Sequence, residues 1–129
     1  MTRPLTTVLC VDDDADILAV VSLALRTLGG LTVHAAGSGA EALALLKRER
    51  VDLVLLDVMM PEMDGLEALA VMRQDPTLAH VMVVLMTARV QLYERARPPD
   101  GVQAVIAKPF DPVSLPNRLQ TIWARADAG

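Results

Sequence analysis

The sequence predicts an α/β fold: a parallel five-stranded sheet with helices on both faces. Three observations carry this. Short apolar runs recur at residues 6–11, 31–35, 53–56, 81–86 and 104–107. Segments of helical period separate them. The middle run, LVLL at 53–56, is apolar at every position, as a central parallel strand covered on both faces must be.

Taken in order, the first strand is TTVLCV at 6–11. A helix over 15–28 follows, with Ile17, Val21, Ala24, Leu25 and Leu28 on one face and Gly29-Gly30 ending it. After the second strand at 31–35, Ser38 and Glu41 have capping-box spacing and open a helix to about Arg48. The third strand ends at Leu56. Asp64 and Glu67 repeat the capping spacing, and Leu66, Leu69 and Met72 give the next helix its inner stripe. The fourth strand, 81–86, runs into Thr87. A weaker helix is expected over 89–97, stopped by Pro98-Pro99. The fifth strand is 104–107. Asp111 as N-cap and Pro112 as first helical residue then start a helix through Trp123.

Composition narrows the function. The 129 residues, 53% hydrophobic, suit one well-filled core. A net charge of −4 argues against a nucleic-acid binder, and one Trp, one Tyr and one Phe make no platform for stacked bases. No apolar run approaches the roughly 20 residues that span a bilayer, and the first residues do not form a signal peptide. A cytoplasmic protein is expected. Cys10 has no partner for an internal disulfide and sits in an apolar run, so it reads as core.

Ligands of such folds bind at the carboxyl ends of the strands, near the point where strand order reverses. Asp12 and Asp13 follow strand one, Asp57 strand three, Thr87 strand four and Lys108 strand five. Any one of these alone is an ordinary cap, turn or surface residue; their joint placement is what points to chemistry. Carboxylates with water make a Mg2+ site, because that hard cation takes oxygen ligands and keeps waters. An Asp carboxylate can attack phosphorus to form an aspartyl phosphate. A hydroxyl and an ammonium can hold the other phosphoryl oxygens. Asp14 and Asp16 read as solvated residues suited to a helix N-terminus. His34 and His80 read as surface residues, and Met59, Met60 and Met63 mostly as loop packing.

VLCVDDDADIL, LVLLDVMMPEMDGLEAL, VVLMTA and IAKPF, in that order and spacing, resemble the receiver domains of two-component response regulators, from about Thr7 to Trp123. The resemblance implies a flavodoxin-like sheet of order 2-1-3-4-5, with Asp57 as phosphoacceptor. It implies Mg2+ held by Asp13, Asp57 and the backbone carbonyl of Met59, with Asp12 on a metal-bound water. Thr87 and Lys108 would contact the phosphoryl group, and the Lys108–Pro109 bond would be cis. The implied partner is a histidine kinase or histidine phosphotransfer protein, with a further protein target, no nucleic acid or membrane, and a monomeric or weakly dimeric state. Residues 1–129 are then expected to be one receiver, core about 6–124, with no output domain and no enzyme activity beyond assisting its own phosphorylation and dephosphorylation.

Two positions depart from the pattern. Many receivers carry Tyr or Phe three residues before the lysine; here it is Val105. Pro98-Pro99 also stands where a helix commonly ends. These keep open a second reading, a receiver-fold adaptor that works without phosphate. A third is a haloacid-dehalogenase-type phosphatase using Asp12-Asp13-Asp14. It wants Thr or Val where Asp16 stands and leaves the Asp57 loop unexplained.

Overall fold

The computed structural model describes residues 3–60, 65–88 and 101–128. Five parallel strands, β1 (Thr7–Val11), β2 (Thr32–Ala36), β3 (Leu53–Asp57), β4 (Met82–Thr87) and β5 (Ala104–Ala107), form one sheet in the order β2-β1-β3-β4-β5. Four helices are described: α1 (Ala15–Thr27), α2 (Gly39–Arg48), α3 (Gly65–Gln74) and α4 (Leu115–Ala128), with a 3-10 turn at Pro76–Leu78. The helix expected over 89–97, and the cap expected at Asp64, lie outside the described residues.

Side chains alternate across a strand, and here both sets are apolar. Leu9, Val11, Val54, Leu56, Val83 and Leu85 face Leu45 and Leu46 of α2 and Leu69 and Met72 of α3. Their neighbours Val8, Cys10, Leu53, Leu55, Val84 and Met86 face Val21 and Leu25 of α1 and Leu115, Leu119 and Trp123 of α4. Two cores thus sandwich the sheet. Burial pushes the Cys10 thiol up to about 12, so it stays protonated and packs as a small apolar side chain.

The helix ends are held locally. Asp14 caps α1, its carboxylate accepting from the amides of Asp16 and Ile17, a more definite role than a solvated acid. Gly30, at φ +65°, supplies the left-handed residue that turns the chain out of α1. Ser38 caps α2 by accepting from the Glu41 amide. Glu41 reaches back to the amide of Gly37 and not to that of the cap residue.

Several boundaries differ from expectation. β2 and β4 sit one residue later, and β3 runs through Asp57, because ladder pairing extends that far: Asp57 pairs with Met86 and Thr87 with Ala107. Leu28 is exposed, since α1 stops at Thr27 and Ser22 joins Val21, Ala24 and Leu25 on its buried face. Leu66 is 39% exposed; Gly65, Ala68, Leu69 and Met72 form the inner stripe of α3. The last helix starts at Leu115, not Pro112. Asp111 instead holds a turn, its carboxylate accepting from the Val113 amide and its carbonyl from Ser114. Past Trp123 the helix continues to Ala128.

The sequence offered no sign of one buried polar cluster. Asp52 is buried at the start of β3 and accepts from the Thr6 amide at 3.1 Å, the Thr6 hydroxyl at 2.8 Å, the Thr7 amide at 3.1 Å and Arg3 Nη1 at 2.8 Å. Burial alone would raise its pKa, but these bonds outweigh it and hold the carboxyl below its usual range.

Candidate functional site

Parallel register brings the strand ends level. Val11 pairs with Leu56, Asp57 with Met86 and Thr87 with Ala107, so the residues that follow or end these strands meet at one edge. Asp12, Asp13 and Asp57 each offer a carboxylate oxygen, all within 4.8 Å of one another. Asp12 and Asp57 are buried and Asp13 is exposed. The cluster is therefore two acids in the floor and one at the mouth.

Lys108 closes the site from β5. Its Nζ lies 2.7 Å from Asp12 Oδ2 and 3.3 Å from Asp57 Oδ1. Its backbone amide donates to the Thr87 carbonyl at 2.9 Å, and the Lys108–Pro109 bond is cis. Thr87 is buried at the end of β4. The Asp14 amide donates to Asp12 Oδ1 at 2.9 Å, and the Met59 amide to Asp57 Oδ1 at 3.3 Å. The carboxylates are thus oriented by backbone donors and one ammonium.

Electrostatics follow from crowding. Burial, then the charge of Asp12, raise the Asp57 pKa above its ordinary value; Lys108 and the Met59 amide oppose this without cancelling it. Burial would lower the Lys108 pKa, but its contacts with Asp12 and Asp57 prevail and raise it. Among the described residues, one ammonium meets three carboxylates, which leaves the cluster short of positive charge. A divalent cation suits such a set by charge and by donor chemistry, since all donors are hard oxygens.

Gly65 is a part of this site that sequence reasoning passed over. A β-carbon there would lie 2.4 Å from the Asp57 carbonyl oxygen and 3.0 Å from the Val58 α-carbon. The Gly65 amide donates to the Val58 carbonyl at 3.0 Å. Only a residue without a β-carbon lets α3 begin this close to β3. A glycine eight residues past the central aspartate was the available signal.

Comparison with known proteins agrees with this geometry. The family model described as the response regulator receiver domain matches residues 8–120. The chain belongs to the receiver-domain family. Its sheet order and the placement of Asp12, Asp13, Asp57, Thr87 and Lys108 at one edge fit that membership. The receiver is 36% identical over 121 residues to the chemotaxis protein CheY-3 of Vibrio cholerae, covering 92% of each chain. It is 33% identical to the probable transcriptional regulator ycf27 of Porphyridium aerugineum, covering 93% of this chain and 49% of that one. It thus spans about half the length of the ycf27 regulators it matches. The solved structure of the chemotaxis response regulator CheY4 of Vibrio cholerae superposes with a TM-score of 0.81 at 30% identity, covering 92% of this chain and 98% of that one. Among the described residues, no helix is long and apolar enough to cross a membrane.

Proposed function

We propose that this receiver accepts a phosphoryl group on Asp57, with Mg2+ held directly by Asp13 and Asp57 and through water by Asp12. The carrying observation is the convergence of three carboxylate oxygens within 4.8 Å, with Lys108 on two of the acids. Bound Mg2+ would offset the acids' repulsion and stabilise charge on the transferring phosphoryl group. Asp13 and Asp57 would ligate it with the Met59 carbonyl, and Asp12 would hold a ligated water.

The chain's own groups account for the rest. An Asp57 carboxylate oxygen forms the new bond to phosphorus as the bond to the leaving group breaks. The donor is a phosphohistidine of a histidine kinase or phosphotransfer protein, or a small acyl phosphate. Lys108 Nζ is already within reach of Asp57 and can pair with a phosphoryl oxygen. Thr87, at the end of the adjacent strand, offers a hydroxyl. Phosphorylation then alters the surface that a protein partner reads, or the phosphoryl group is passed on. An adaptor that ignores phosphate would have little use for this acidic set.

Intact-mass analysis after incubation with acetyl phosphate and MgCl2 tests the reading. One added phosphoryl group is expected on the wild type and none on Asp57→Asn. Equal labelling of both would reject the assignment, and continuous turnover of p-nitrophenyl phosphate would favour a phosphatase.

A further inference from the structure

We propose that the edge of the sheet opposite the acidic cluster carries an anion site, a cleft that takes a small polyphosphate through its linked phosphoryl groups. The cleft, about 590 Å3, opens between the connection from α2 to β3 and the connection from the 3-10 turn to β4. That volume lies within the roughly 300–1,000 Å3 of small-molecule sites and is far more than one orthophosphate fills. Val51 and Val81, just before β3 and β4, line it, whereas Asp57 and Thr87 end the same two strands. A strand of five residues rises roughly 16 Å. The site is therefore separate from the phosphoacceptor and does not rest on that reading.

Charge selects the ligand. Lys47, Arg48, Arg50 and His80 line the cleft and are exposed, and Glu49 is the one acid among its described lining residues. Lys47, Arg48 and Arg50 make no ion pair with a described residue; those pairs belong to Arg3 and Lys108. Asp75 lies near enough to feel Lys47, but its carboxyl is held below its usual range first by the Thr77 hydroxyl and amide. The last turn of α2 suits Lys47 and Arg48 to the negative end of that helix. Arg50 lies past the helix, and His80 reaches the same cleft from another segment. Guanidinium forks each pair with two phosphoryl oxygens, and the ammonium acts as a point charge. Leu46, Val51, Leu78 and Val81 are buried, and no described Phe, Tyr or Trp lines the cleft, so a nucleobase has no surface to stack on. The phosphate chain alone is recognised. A net charge of −4 turns away long polyanions, which would also run over the acids.

Isothermal titration calorimetry of the whole protein with sodium tripolyphosphate, ATP and orthophosphate, in metal-free buffer at low salt, tests this, with amide NMR shifts to place the ligand. Tripolyphosphate should bind at one site, orthophosphate several-fold more weakly, and ATP within a few-fold of tripolyphosphate. The largest shifts should fall at residues 46–51 and 77–81, and added NaCl should weaken binding because exposed charges are screened. Arg48→Gln with Arg50→Gln, both at the surface, should keep the wild-type Tm and lose about tenfold or more in affinity, as expected for lost charge-assisted hydrogen bonds. The proposal fails if no saturable binding is seen, if the double variant binds as tightly as wild type, or if the shifts centre on Asp12, Asp57 and Lys108. ATP binding far more tightly than tripolyphosphate would overturn recognition through phosphates alone.

Discussion

Lys108→Met tests how the acidic floor is held, because methionine keeps an unbranched stem of similar length and removes the charge. In the wild type the ammonium lies 2.7 Å from Asp12 and 3.3 Å from Asp57. At an effective dielectric constant of about 20, those separations correspond to roughly 6 and 5 kcal/mol of Coulomb attraction before desolvation is subtracted. The Lys108 side chain is 17% exposed, so solvent screens part of this. Breaking a buried ion pair costs roughly 3–5 kcal/mol, and the partial exposure puts this site at the lower end, about 3 kcal/mol. For a domain of this size that is a fall in Tm of about 10 °C.

The pH dependence has a definite sign. Folded Lys108 has a raised pKa, so its contribution is fully present below about pH 10.4 and is lost as pH rises through the folded value. At pH 7 the variant should show the whole deficit. Without Lys108 the Asp57 carboxyl, already raised by burial and Asp12, rises further. A carboxyl raised in the folded state takes up protons preferentially there, so acidification from pH 7 toward about pH 4 should shrink the deficit. Thermal unfolding by circular dichroism in chelator, at several pH values and then with MgCl2, checks this. Added Mg2+ should narrow the gap by binding the folded state. Equal Tm values for variant and wild type in chelator at pH 7, or a deficit independent of pH, would refute the argument.

Other outcomes separate neighbouring residues. Asp13→Ala should weaken Mg2+ binding by on the order of 2 kcal/mol, whereas Asp14→Ala should cost about 1 kcal/mol of stability through the lost α1 cap and spare the metal; magnesium and urea titrations of both variants would show the division. Asp52→Asn should destabilise the fold by about 2 kcal/mol, mostly through the Thr6 and Thr7 donors, because Arg3 is half exposed and its ion pair is weak. The Asp52 pKa is lowered on folding, so its stabilisation is present above about pH 3.9 and lost as pH falls through the folded value; the variant should lack that part of the acid limb in pH-dependent urea melts. Gly65→Ala must displace backbone at Asp57 and should cost about 1–3 kcal/mol; slower acetyl phosphate labelling in the fraction that folds would show that α3 positions the acceptor.

The sheet and the edge where its acids gather were legible because both depend on local pattern plus one rule of chain handedness. Apolar residues at every position of 53–56 mark a strand covered twice, and parallel crossovers then force Asp12, Asp57, Thr87 and Lys108 to one edge. Other features depended on partners far away in sequence. Lys108 meets Asp12 across 96 residues, and Asp52 finds Thr6 across 46. Leu28 and Leu66 have the right period but face solvent, because packing set where α1 ended and which stripe of α3 turned inward. Gly65 carries no pattern of its own; its requirement exists only once α3 closes on β3. Periodicity reports which residues can be buried together, whereas burial, pairing and close approach are decided by the remote chain that arrives on the other side.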